Sequence, residues 1–246
     1  MSYFRFHLVF TLPLLGVLLL AGAADWKDPC VLGTALFVLV PVMLFTTPWD
    51  NYAAKCGIWG FSEGQYSRKI GYLPVEEYLF FIIQSLQAMA LTVLVLQLGD
   101  FQSLGFLSDE ARVGRLISGG IGLVIFLALG LVFSGKWRHQ DEGKWHYTWH
   151  LFFWFLPVVA LQWWIAPDVL IPRWPVLIAV TFLLGSYLSW ADWMAIQRNI
   201  WFFDHKQTTG VNIGGKMPWE EAAFFYLTSL LVCQSFLILL PEALRI

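Results

Sequence analysis

Two pairs of adjacent glutamates sit in the same local setting. Pro74-Val75-Glu76-Glu77-Tyr78-Leu79-Phe80-Phe81 recurs 144 positions later as Pro218-Trp219-Glu220-Glu221-Ala222-Ala223-Phe224-Phe225. Upstream of each pair, Asp50 and Trp59 recur as Asp192 and Trp201, nine residues apart in both copies. A proline followed by acidic residues is ordinary helix-start grammar, since carboxylates favour the positive end of the helix dipole. Here, however, each pair directly precedes an apolar run, and carboxylates at membrane depth are costly and mark function. Consecutive helix residues point about 100° apart. One glutamate of each pair can therefore turn inward while the other faces water or a cap. Phe80 and Phe81 lie one turn deeper on the same faces. A carboxyl group in a partly desolvated, aromatic-walled pocket favours its neutral form and can act as a general acid. A neighbouring carboxylate that stays ionised then serves as base. Aromatic faces attract cations, more strongly where water is excluded. Acid, base and aromatic walls together suit a carbocation reaction on a hydrocarbon, although core packing alone accounts for most of the aromatic residues.

The elements that must position these groups are membrane helices. Hydrophobic residues make up 58% of the 246 residues and charged residues only 13%, about half the charge of a soluble domain. Seven uncharged runs approach or exceed the length that spans a hydrocarbon core: Leu8–Ala24, Cys30–Trp49, Tyr78–Leu98, Leu116–Phe133, Leu151–Pro167, Trp174–Ala191 and Ala222–Pro241. Arg5 before the first run and Ala21-Gly22-Ala23 after it resemble a signal peptide, but the repeat requires that segment to stay. Tyr3 with Leu12-Pro13 recurs as Tyr147 with Leu156-Pro157, again at an offset of 144.

The expected fold is therefore all-α and transmembrane, with about seven helices arranged as two parallel three-helix repeats joined by a linker helix. The units are residues 1–98, a linker 99–143 that includes the fourth helix, and 144–246. A step of four helices gives both halves the same orientation, and functional sites of such repeats lie at the repeat interface. Lys and Arg number ten on the side of the N-terminus (Arg5, Lys55, Arg68, Lys69, Lys136, Arg138, Lys144, Arg198, Lys206, Lys216) and five on the other (Lys27, Arg112, Arg115, Arg173, Arg245). The positive-inside rule then predicts a cytoplasmic N-terminus and a cytoplasmic edge for all six carboxylates.

Other features carry less. A net charge of -2 leaves no basic excess for nucleic acid. Cys30, Cys56 and Cys233 are scattered. His146 and His150 share a helix face beside Trp145 and Trp149, without a further ligand at metal-like spacing, so no metal is expected. Gly119-Gly120-Ile121-Gly122 reads as close helix packing, and Pro13, Pro41 and Pro157 as kinks.

The doubled Pro-x-Glu-Glu-x-x-Phe-Phe, each copy preceded by an Asp and a Trp, resembles the membrane-integral lycopene cyclase domain family. The resemblance covers nearly the whole chain. It implies the stand-alone tandem form of a domain that also occurs as two small subunits or fused to phytoene synthase, with no phytoene synthase region expected after Ile246. The implied activity is lycopene beta-cyclase: an acid protonates a terminal double bond of lycopene, the cation closes on a second double bond, and a base removes a ring proton. The products are γ-carotene and then β-carotene, with no net redox change and no cofactor. Carried over by motif, Glu76, Glu77, Glu220 and Glu221 are the first catalytic candidates, followed by Asp50 and Asp192. Trp59, Trp201, Phe80, Phe81, Phe224 and Phe225 are expected to contact substrate. Lycopene and membrane lipid are the implied partners, within the inner or plasma membrane; homo-oligomerisation and association with other carotenoid enzymes stay open, as does the choice between one active site and two. The rival readings are a transporter or a non-catalytic carotenoid-binding protein. A retinal-binding receptor would need a lysine in its last helix, and Ala222–Pro241 has none.

Overall fold

In the computed structural model the described residues are 1–99, 101, 104–137 (backbone only for 130–137) and 143–241. Seven helices are long and apolar enough to cross a membrane. They are α1 (Tyr3–Ala21), α2 (Pro29–Lys55), α3 (Val75–Leu96), α4 (Asp109–Trp137), α5 (His146–Ile165), α6 (Trp174–Gln197) and α7 (Trp219–Leu239). A helix satisfies its backbone polar groups internally, which is what hydrocarbon surroundings demand. The helices overrun the uncharged runs at the ends that matter. α2 continues past Trp49 to Lys55 and α6 past Ala191 to Gln197, so Asp50 and Asp192 lie inside helices instead of ending them. α3 and α7 begin one residue after Pro74 and Pro218, which places each glutamate pair in a first turn.

α3 and α7 form the centre of the bundle and cross each other. Gln84 Nε2 donates to Thr228 Oγ1 at 2.6 Å, Phe80 meets Phe225 edge-on, and Thr92 donates to Cys233 Sγ. α1 and α2 pack on α3, α5 and α6 on α7, and α4 packs mainly on α5. At Gly119 a Cβ would run into Leu161 of α5, so the glycine does permit close approach. At the end of the bundle away from the glutamates, Arg112 pairs with Asp168 at 2.9 Å. Arg138 and Arg245, and the side chain of Lys136, lie outside the described residues, as does part of the linker 99–143.

Of the prolines, Pro41 lies within α2 and Pro157 within α5, while Pro13 follows a π turn at His7–Thr11 in α1. A π turn releases carbonyls from the regular ladder. Two carbonyls there find donors on other helices: Tyr187 Oη donates to the Phe10 carbonyl and Gln87 Nε2 to the Thr11 carbonyl.

Three short antiparallel ribbons sit at the glutamate end. β2 (Lys69–Ile70) pairs with β3 (Leu73–Pro74), and β5 (Asn212–Ile213) with β6 (Met217–Pro218), each leading straight into a central helix. Gly71 opens the first hairpin turn at φ +65°, a conformation L side chains avoid. These hairpins satisfy the opening amides of the helices: Val75 N–H donates to the Arg68 carbonyl and Trp219 N–H to the Val211 carbonyl. The third ribbon joins the halves. β1 (Trp59–Phe61) pairs with β4 (Trp201–Phe203) in the register Trp59 with Phe203 and Phe61 with Trp201.

Candidate active site

The two glutamates of each pair do different things. Glu76 Oε1 accepts from the Ser67 amide at 2.9 Å, and Glu220 Oε1 accepts from the Thr209 amide at 2.8 Å and from Thr148 Oγ1. These first glutamates tie the loop ahead of each hairpin to the helix start. The second glutamates turn inward. Glu77 Oε2 accepts from Tyr3 Oη at 2.7 Å, and Glu221 Oε2 accepts from Tyr147 Oη at 2.5 Å. Both tyrosines come from the first helix of their half, α1 and α5, and are almost fully buried.

The aspartates are held in matched fashion. Trp59 Nε1 donates to Asp50 Oδ1 at 2.9 Å and Trp201 Nε1 to Asp192 Oδ1 at 2.8 Å. Asp50 sits on α2 and its tryptophan on β1; Asp192 sits on α6 and its tryptophan on β4. Asp192 Oδ2 is buried with no hydrogen-bond partner among the described residues.

Asp50, Glu77, Asp192 and Glu221 line a single cavity between the halves. Every other lining residue is aromatic: Tyr3, Phe6, Trp49, Trp59, Phe61, Phe80, Tyr147, Trp201, Phe203, Phe224 and Phe225. Among the described residues no lysine, arginine or histidine lines it. Burying four negative charges in an apolar site without a cation is prohibitive, so the cluster must carry protons. The rings turn electron-rich faces to the cavity, an arrangement able to stabilise positive charge. The free space within the cavity is about 40 Å³, well below the roughly 300 Å³ of a small ligand pocket. Admitting a bulky group therefore requires aromatic side chains to swing aside.

Of the residues singled out from sequence, Asp50, Asp192, Glu77, Glu221, Trp59, Trp201, Phe80, Phe224 and Phe225 meet at this cavity. Glu76 and Glu220 do not line it, their Oε1 atoms being engaged by the loops. Phe81 does not line it either; it is buried beside Tyr78, with ring centroids 6.3 Å apart. His146 and His150 tie elements together. His146 Nδ1 meets Gln207 Oε1, and His150 Nε2 donates to the Trp49 carbonyl while its ring stacks on Trp49.

The family model for lycopene cyclases matches residues 4–95 and 144–239. This chain belongs to the lycopene cyclase family. Each matched segment of the lycopene cyclase model spans nearly all of three of the seven helices and holds one aspartate–tryptophan pair and one inward-facing glutamate, with Tyr147 inside the second segment and Tyr3 one residue ahead of the first. A lycopene beta-cyclase of Halobacterium salinarum is 32% identical over 240 residues, covering 96% of this chain and 95% of that protein. A bifunctional lycopene cyclase/phytoene synthase of Phycomyces blakesleeanus is 28% identical over 233 residues, covering 92% of this chain and 37% of that protein. The bifunctional protein of Phaffia rhodozyma is 26% identical over 250 residues, covering 94% and 36%. No solved structure matches the chain.

Sequence reasoning missed Tyr3 and Tyr147 as site residues, although their shared offset of 144 had marked them as part of the repeat. Trp49 had no motif to flag it. Phe61 and Phe203 lie two residues beyond the repeated tryptophans, in strands of three residues, too short for alternation to register.

Proposed function

We propose that this protein is a lycopene beta-cyclase, an isomerase that closes the acyclic end groups of lycopene to β rings by acid–base chemistry through a carbocation. The observation that carries this is the single cavity in which four carboxyl groups from both halves meet inside an aromatic shell. A protonated carboxyl group delivers its proton to the terminal double bond, leaving a tertiary cation. The cation closes on the neighbouring double bond within reach. A carboxylate then takes a ring proton, restoring a double bond, so protons and electrons balance with no oxidant or reductant. The faces of Trp59, Trp201, Phe80, Phe224 and Phe225 stabilise the cation.

Glu77 and Glu221 are the acid–base pair, with Asp50 and Asp192 as proton partners. The unpartnered Oδ2 of Asp192 supports that role for it. Glu76 and Glu220 hold the loops that shape the site, and Phe81 packs behind it. The halves 1–98 and 144–246 are parallel repeats that share this one site, with 99–143 as linker. The cavity takes one end group at a time, so γ-carotene is the first product and returns as substrate for the second closure. The glutamate end of the bundle faces the cytoplasm.

Expression in cells that accumulate lycopene tests the activity. γ-carotene and β-carotene are expected on pigment analysis. Unchanged lycopene, with the protein confirmed in the membrane, rejects it.

A further inference from the structure

We propose that the ribbon of β1 and β4 is a roof that determines the fate of the carbocation, by keeping water from adding to it. The proposal rests on the cyclase reading.

The ribbon alternates strictly. Trp59, Phe61, Trp201 and Phe203 point inward, are buried and line the cavity. Gly60 and Phe202, directly opposite one another, point outward, and Phe202 is 52% exposed. Beyond the strands the chain passes into exposed polar residues, Glu63 on one side and His205 and Lys206 on the other. The strand ladder continues at both ends, Asp204 N–H donating to the Ile58 carbonyl and Ser62 N–H to the Ile200 carbonyl. The ribbon thus stands between polar surface and acid cluster.

Its inner face offers water no foothold. The four inward side chains carry only two polar atoms, the indole nitrogens, and both are committed to Asp50 and Asp192. The rings cover the acid–tyrosine pairs directly. Tyr3 lies 4.8 Å from Trp201 and 6.3 Å from Phe61; Tyr147 lies 5.2 Å from Trp59 and stacks on Phe203 at 5.9 Å.

A tertiary cation beside water has a third fate besides ring closure and proton loss. The water oxygen bonds to the cationic carbon and gives a proton to a carboxylate, leaving a tertiary alcohol, which is the hydrocarbon plus one water. The same acid cluster therefore becomes a hydratase if the roof leaks. Exclusion of side reactions with water is a recognised task of closed sites.

The test opens the roof from its inner face. Phe61→Ala and Phe203→Ala are expressed in lycopene-accumulating cells grown with heavy-oxygen water, with Phe202→Ala as the outward control, and carotenoids are read by mass spectrometry. The ratio of labelled tertiary alcohol to ring product is expected to rise by about tenfold or more in the inner variants, and to stay at the wild-type level in Phe202→Ala. Where an alanine variant fails to insert, Phe61→Leu and Phe203→Leu are read in the same way. Ring products without alcohol in every inner variant that consumes lycopene would overturn the roof. So would complete loss of turnover in inserted alanine and leucine variants, because a partition against water is not needed for protonation. Wild-type protein that fails to cyclise in the same cells rejects the cyclase reading instead.

Discussion

At the scale of single residues, the acid pair divides its labour by direction. Glu77 and Glu221 face a cavity that no cation lines among the described residues, whereas Glu76 and Glu220 face loop amides. Glu77→Gln and Glu221→Gln should each lower cyclisation by at least ~100-fold, the usual worth of a positioned acid or base. With one shared site, as proposed, each change should block both ring closures; retention of one closure in either variant, seen as γ-carotene, would point to independent sites. The acid must hold its proton and the base must have lost its own, so wild-type activity should fall on both sides of an optimum pH, with the acid limb lost in the base variant. The tyrosines donate to the second glutamates, and positioning those glutamates is the role expected of them. A hydroxyl on Oε2 fixes which oxygen faces the substrate, so Tyr3→Phe and Tyr147→Phe should lower kcat with KM little changed. A hydrogen bond to a charged group contributes about 1.5–3 kcal/mol, which sets the loss at roughly ten- to hundredfold. A rise in KM alone would show the tyrosines to be packing residues.

At the scale of elements, the site depends on how α3 and α7 cross. The Gln84–Thr228 hydrogen bond joins them below the cavity, buried from lipid and water. A double-mutant cycle with Gln84→Leu and Thr228→Val, read by denaturation in detergent, should give a coupling of about 0.6 to 1.7 kcal/mol, the range for such bonds in membrane bundles. Zero coupling would mean that ring packing such as Phe80 on Phe225 sets the crossing. The hairpins ahead of these helices act on the site from outside. They satisfy the first amides of α3 and α7, so no side-chain cap is needed at Pro74 or Pro218, and the second glutamate is free to turn inward.

At the scale of the whole molecule, the four carboxyl residues that line the cavity come from both halves of one chain. Fragments 1–98 and 144–246 should each be inactive alone and cyclise lycopene when co-expressed; activity in a single fragment would contradict the shared cavity. Orientation has its own test. In a background lacking Cys30, Cys56 and Cys233, a membrane-impermeant thiol reagent should reach Glu63→Cys and Lys206→Cys from the cytoplasmic side and Lys27→Cys from the other. Labelling of all three from one side would break the topology. The exposed apolar faces of α2 and α4 need no covering partner in such a setting, since lipid solvates them.

Bilayer thickness dictates runs of about 20 apolar residues, so seven helices could be read directly from the chain. The doubled motif and the Asp–Trp spacing likewise marked the carboxyl residues that line the cavity, because a helix start, a dipole and an acidic pair are local affairs. Spacing within an element fixes faces but not which element those faces meet. Only the tertiary structure decided that Glu77 and Glu221 face inward, that tyrosines 74 residues upstream hold them, and that two three-residue strands close the space above. Those contacts arise from packing between segments far apart in sequence, where no periodicity carries the information.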